Sequence, residues 1–257
     1  MFMSEKYIVP EPDSLGSVEG LEEPKFETEE KLEKEGLKNV FAGKFSNPAL
    51  EAKILAASEH PQIIDIRRVT GVEIIEPYRI GQSASPLIHS VERALSDYNA
   101  GSDLEVDRAL SSFKDNIIVD IGAGIETVAY ELAIKLGASA YIAVEPNYSD
   151  GLFKELEETK REKGLDLPFV VVKSDGLSFV KCLNDESVNL MMVATDDYMF
   201  PDREYNKKLN SEILRVLGKS RGSIEFCSAI GPGYWNMKHV EIETELGMPL
   251  DITYGLK

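Results

Sequence analysis

The chemistry of this sequence is concentrated in one short run, Asn116-Ile117-Ile118-Val119-Asp120-Ile121-Gly122-Ala123-Gly124-Ile125-Glu126-Thr127. It reads as a buried strand that ends in an acid, turns through alternate glycines and opens a helix. Gly122 and Gly124, with Ala123 between them, let the backbone turn sharply and bring its N–H groups close to a ligand. The helix that follows adds the positive end of its dipole at the same place. Doubly wound α/β proteins cradle nucleotide-like ligands in this way, and the acids narrow the choice. Asp120 stands where a dinucleotide-binding strand carries a small apolar residue, and Glu126 and Thr127 stand where a third glycine would admit a pyrophosphate. A carboxylate at short range repels a pyrophosphate, so two acids flanking the loop favour a ligand with cationic groups. Glu126 either narrows that pocket or faces solvent at a helix N-terminus, where an acid is favourable.

Two later acids fall in register with the loop. Glu145, followed by Pro146, ends the next expected strand, where a carboxylate can accept hydrogen bonds from both hydroxyls of a ribose. Asp175, followed by Gly176, ends the third. Singly, each would pass for a solvated strand-end acid. Together with Asp120 they occupy the carboxyl ends of three successive strands, where open α/β sheets bind ligands.

In these positions the chain resembles the Rossmann-like (class I) S-adenosylmethionine-dependent methyltransferases, whose first motif is an acid, a spacer and glycines at alternate positions. The likeness covers residues 114–228. It includes Glu212-Ile213-Leu214-Arg215-Val216-Leu217-Gly218-Lys219-Ser220-Arg221-Gly222-Ser223-Ile224, which is similar to the family's helix and turn before the fifth strand, with Ser220 and Arg221 replacing a proline and a glycine. The resemblance implies an α/β, doubly wound, mostly parallel sheet and a methyltransferase using S-adenosylmethionine. That cofactor's sulfonium and ammonium groups suit the flanking acids. Carried over position by position, its site would comprise Asp120, Gly122, Ala123, Gly124, Glu126, Glu145, Pro146, Asp175, Gly176 and Thr195, with Asp175 on the adenine amino group.

Methyl transfer needs a nucleophile held in line and a base within hydrogen-bond reach. The expected wall is the loop after the fourth strand, Thr195-Asp196-Asp197-Tyr198-Met199-Phe200. Asp196 and Asp197 can accept a proton or orient an amine, and Tyr198 can pack on a flat substrate. Amino-methylating relatives carry prolines where the paired aspartates stand, which weakens that specific parallel. His89, on a helix expected before the core, is the one histidine placed to act as a base. Ser228-Ala229-Ile230-Gly231 offers no carboxylate or amide after the fifth strand, so no metal site is expected.

The elements that must position these groups follow from periodicity. Strands are expected at 117–120, 141–144, 169–172, 188–194 and 224–228, alternating with helices at 127–136, near 149–163 and at 204–217, an order that argues for a parallel sheet with right-handed crossovers. Residues 240–245 and 252–254 look like a closing antiparallel pair. Upstream, 46–113 reads as a mainly helical cap with a hairpin around Gly71, and Asn47-Pro48 and Pro86 open helices. Residues 1–45 read as an acidic flexible arm, with one short helix at 29–37 stopped by Gly36.

Against 28 basic residues stand 45 acidic ones, a formal net charge of −17. A field of that sign repels phosphate backbones and anionic lipids, which leaves a small molecule or a protein side chain as the expected partner and disfavours nucleic acid and membrane. Cys182 and Cys227 fit no metal spacing and read as reduced core thiols. With no basic, apolar leader at the start, a cytoplasmic location is expected. Three functions remain open: a methyltransferase, a cofactor-binding protein without transferase activity, and an NAD-dependent oxidoreductase, the last disfavoured by Asp120 and the missing third glycine.

Overall fold

The computed structural model describes residues 36–74, 104–125, 127–193, 203–226, 238–243 and 249–254. Within them the strands are β1 (Ile63–Asp65), β2 (Ile117–Ile121), β3 (Ala140–Val144), β4 (Phe169–Lys173), β5 (Asn189–Val193), β6 (Gly222–Phe226), β7 (Lys238–Glu243) and β8 (Pro249–Tyr254). The helices are α1 (Pro48–Glu59), α2 (Ile66–Thr70), α3 (Leu104–Ser111), α4 (Val128–Lys135), α5 (Ser149–Lys163), α6 (Gly176–Val180) and α7 (Arg203–Leu217).

The strands form one sheet in the order β1-β4-β3-β2-β5-β6-β8-β7. From β1 to β6 every pairing is parallel, and β8 runs antiparallel to both of its neighbours. This is the expected α/β, doubly wound, mostly parallel Rossmann-like architecture. The order reverses at β2: the chain winds outward through β3 and β4, then returns to the other side of β2 as β5. That switch point places the carboxyl ends of β2, β3 and β4 together.

Both faces are covered, so the central strands are continuously apolar rather than alternating. One face carries Val119, Ile142, Val144, Val172, Leu190 and Met192 against Leu50 and Ile54 of α1, Phe179 of α6 and Leu209 and Ile213 of α7. The other carries Ile118, Tyr141, Ala143, Val171 and Met191 against Val106 of α3, Leu132 of α4 and Leu152 and Leu156 of α5. Pro48 occupies the first turn of α1, and the Asn47 side chain accepts from the N–H groups of Ala49 and Leu50, a cap worth about 1 kcal/mol.

The upstream region departs from expectation in two places. The hairpin around Gly71 does not form. Ile63–Asp65 instead joins the sheet edge in parallel with β4, and Asp65 caps α2 while its carboxylate pairs with Arg67 at 2.7 Å. A capping acid two residues before a basic partner nucleates a turn of helix, and that local gain outweighs the β-branched composition of the segment. Residues 36–45 are also not a free arm. A helical turn runs through 36–41, past Gly36, and Phe41 and Phe45 are buried in the core, Phe45 edge-on to Phe179. Two buried aromatics offset the ordering of a short segment. The helix expected at Pro86, and residues 1–35, lie outside the described residues. No helix among the described residues is long and apolar enough to cross a membrane.

Candidate functional site

The glycine loop leaves the end of β2 with Gly122 at φ 73° and Gly124 at φ 65°. A side chain would be strained at either left-handed position, which is why the sequence alternates glycine there. The turn is tied down by its own donors. Gly122 and Ala123 donate their N–H groups to the Val144 carbonyl at 3.0 and 3.2 Å, and Gly124 donates to Glu145 Oε2 at 3.0 Å. Three successive backbone N–H groups are thus spent inside the protein.

Glu145 is buried at the end of β3 and organises two segments. Its Oε1 accepts from Asn147 and Tyr148 at 2.7 and 3.2 Å, bracing the turn into α5, while Oε2 holds Gly124. Ser149 Oγ donates to its carbonyl at 2.8 Å. Burial raises the Glu145 carboxyl above the usual range, and the three backbone donors pull it back. A carboxylate oxygen accepts two hydrogen bonds, and among the described residues Oε2 receives one. Pro146 follows it, half-buried.

Asp120 lies beside this pair, 2% exposed, and accepts the Tyr141 hydroxyl at 2.6 Å through Oδ2. Desolvation pushes its carboxyl up to about 7, Tyr141 works against that rise, and Glu145 adds to it. The Tyr141 hydroxyl is itself raised, first by burial and then by Asp120.

Asp175 organises the turn after β4. It is fully buried, and its Oδ1 accepts from the Ser178 N–H, capping α6, and from the Tyr205 hydroxyl, each at 3.0 Å. Tyr205 in turn accepts the Leu177 N–H at 3.1 Å. From this position Asp175 shapes the turn after β4 from within. Gly176 is there because a Cβ would come within 2.6 Å of Ile121 Cγ2, so the turn packs directly on the end of β2.

The structure therefore brings Asp120, Gly122, Ala123, Gly124, Glu145, Pro146, Asp175 and Gly176 to one end of the sheet. Glu126, Thr195, Asp196, Asp197, Tyr198 and His89 lie outside the described residues. Two residues were not singled out by sequence: Tyr141 reads as the first apolar residue of a strand, and Tyr205 as one of a helical apolar stripe. The available signal in each case is a hydroxyl within an otherwise aliphatic set, which needs a buried partner.

No family model and no curated protein matches the sequence. Among solved structures the chain is similar to a methyltransferase from Geobacter sulfurreducens, at 13% identity and TM-score 0.42 over 80% of this chain and 89% of that one. It is similar to a conserved hypothetical protein of Streptococcus pyogenes, at 15% identity and TM-score 0.41 over 55% and 88%. A third is TYW2 of P. horikoshii, solved in complex with MeSAdo, at 14% identity and TM-score 0.37 over 57% and 58%.

Proposed function

We propose that this chain is an S-adenosylmethionine-dependent methyltransferase acting on a small molecule or a protein side chain. The observation that carries the reading is the electrostatic character of the glycine loop. A pyrophosphate site needs backbone N–H groups aimed at the ligand. Here those of Gly122, Ala123 and Gly124 are satisfied internally, and the buried carboxylate of Asp120 ends the strand that leads into the turn. Both features oppose a dinucleotide and accommodate a nucleoside bearing positive charge.

S-adenosylmethionine supplies a methyl group on a sulfonium, activated for attack by a nucleophile. In the reading we favour, Glu145 Oε2 takes a ribose hydroxyl, and the turn of Gly122, Ala123 and Gly124 packs against the amino-acid end, with Glu126 beside it. Pro146, Gly176 and Thr195 flank the nucleoside, and Asp175 fixes the turn that carries Gly176. Asp196 and Asp197 serve on the acceptor side as base or amine-orienting groups, with Tyr198 packing on the acceptor and His89 as a further candidate base.

Calorimetric titration with S-adenosylmethionine, S-adenosylhomocysteine and NAD tests the cofactor. Binding of the first two, with none of NAD, supports the reading. Failure of both adenosyl ligands at millimolar concentration removes it. Release of labelled methyl groups to an acceptor then separates a transferase from a protein that only binds. Unchanged turnover in Asp196→Asn would exclude that residue as the base.

A further inference from the structure

The helix α6 has five residues, all of them buried, and α7 holds it at both ends. So short a helix has little stability of its own, and its place is set by its attachments. At its start, the Tyr205 hydroxyl donates to Asp175 Oδ1 and accepts the Leu177 N–H. At its end, Arg215 donates to the carbonyls of Val180 and Leu183 at 3.1 and 2.8 Å. Glu212 and Asp185 hold that guanidinium at 2.8 and 2.7 Å. On the flank, Ser178 Oγ donates to the Glu73 carbonyl at 3.1 Å. Gly176 is gripped from two sides. A Cβ there would lie 2.6 Å from Ile121 Cγ2 and 3.7 Å from both Cδ atoms of Leu209. Ile121 directly precedes Gly122, and Leu209 lies one turn beyond Tyr205 on α7. The glycine loop, the start of α6 and the first turns of α7 are therefore one packed column with no slack to absorb a displacement. The same helix α7 begins at Arg203, shortly after Phe200, where the expected acceptor wall ends.

We infer that Tyr205 is a positioning residue that couples the two halves of the site: it fastens the start of α7 to the turn beside the glycine loop, so that a nucleoside bound at the loop also fixes the helix leading out of the acceptor wall. The inference rests on the cofactor reading above and adds to it the route by which an occupied cofactor site prepares the acceptor side. A ligand that braces the loop makes the column open less often. The Tyr205 hydroxyl carries this effect to α7 because it bonds the Asp175 side chain and the Leu177 backbone at once, whereas Leu209 only packs against the turn. The coupling is reciprocal, so whatever orders α7 tightens the cofactor by the same factor.

The test is amide hydrogen exchange on the full chain, with and without saturating S-adenosylhomocysteine. Leu177 and Leu209 report on the column. Ala109 of α3, on the other face of the sheet, reports on general stabilisation by the ligand. In the parent, the ligand is expected to slow exchange at Leu177 and Leu209 at least about fivefold more than at Ala109. Tyr205→Phe is expected to bind the ligand and still protect Gly124, but to lose that excess at Leu209. A merely structural role for Tyr205 would speed exchange at Leu209 equally with and without ligand and leave the excess in place. Leu209→Ala keeps the hydroxyl and removes the packing contact, so it decides the matter should Tyr205→Phe not fold. It is expected to retain the excess at Leu177, and loss there would assign the coupling to packing and overturn the role of Tyr205. Binding of S-adenosylhomocysteine with no excess in the parent, or with the excess retained in Tyr205→Phe, overturns the inference and leaves the cofactor reading intact. No binding at millimolar ligand overturns both.

Discussion

The Tyr205 hydroxyl donates to Asp175 Oδ1 at 3.0 Å and accepts the Leu177 N–H at 3.1 Å, so one atom of α7 locks the turn between β4 and α6. Burial and the adjoining Asp175 hold that hydroxyl well above the usual tyrosine range, and it acts only as a neutral donor and acceptor. Tyr205→Phe leaves a buried N–H and a buried carboxylate each short of a partner. The expected cost is about 1–3 kcal/mol of stability, read from urea unfolding, with weaker S-adenosylhomocysteine binding if the turn borders that site.

Gly176→Ala should be destabilising for a steric reason. The added Cβ would meet Ile121 Cγ2 at 2.6 Å, and the strand end cannot retreat without disturbing Gly122 next to it. A loss of about 1–3 kcal/mol is expected, again by urea unfolding. Gly124→Ala provides the contrast: its Cβ meets nothing within 4 Å, so its cost comes from the left-handed backbone.

Glu145→Gln keeps the size of the side chain and removes its charge. The amide presents one acceptor oxygen and one donor nitrogen to three backbone donors, so at least one N–H faces another N–H. We expect a loss of about 1–3 kcal/mol in stability and of cofactor affinity. Amide hydrogen exchange should show faster opening at Gly124 or at Asn147 and Tyr148. Unchanged protection at all three would show that Glu145 does not brace the loop.

The pH dependence of stability has a defined sign. An unfolded aspartate loses its proton near 3.9, whereas folded Asp120 holds its proton up to about 7. Between those values the folded chain binds more protons than the unfolded chain, so this group's contribution to stability falls as pH rises. Glu145 is raised as well and contributes with the same sign. Asp120→Asn should therefore be more stable than the parent at pH 8, by on the order of 4 kcal/mol, with the difference vanishing toward pH 4. Equal unfolding free energies at pH 8 would count against a protonated Asp120.

The sheet was legible in the sequence because covered parallel strands are written as uninterrupted apolar runs. The strand starts and ends around Val119, Ile142 and Val171 fall within a residue or two of where they were expected. The loop was legible because left-handed backbone requires glycine, and its acids stood out in an apolar setting. The upstream region was less so. At Ile63 to Arg67 composition favours a hairpin, but a single capping side chain, Asp65, turns the chain into a helix. Within the site, the position of Asp175 at a strand end was legible, but its bond to the Tyr205 hydroxyl thirty residues further along was not, because periodicity assigns that residue only to the core.

Strand β8 lies between β6 and β7, although it follows both in the chain. During synthesis β7 therefore emerges before the strand that gives it its ladder, and β6 keeps one side of its hydrogen-bonding groups unpaired until Pro249–Tyr254 arrives. Any product that stops short of residue 249 presents two unsatisfied strands at once, a template for pairing with other copies. For this chain, synthesis of β8 decides whether β6 and β7 are joined in one sheet or left as separate templates.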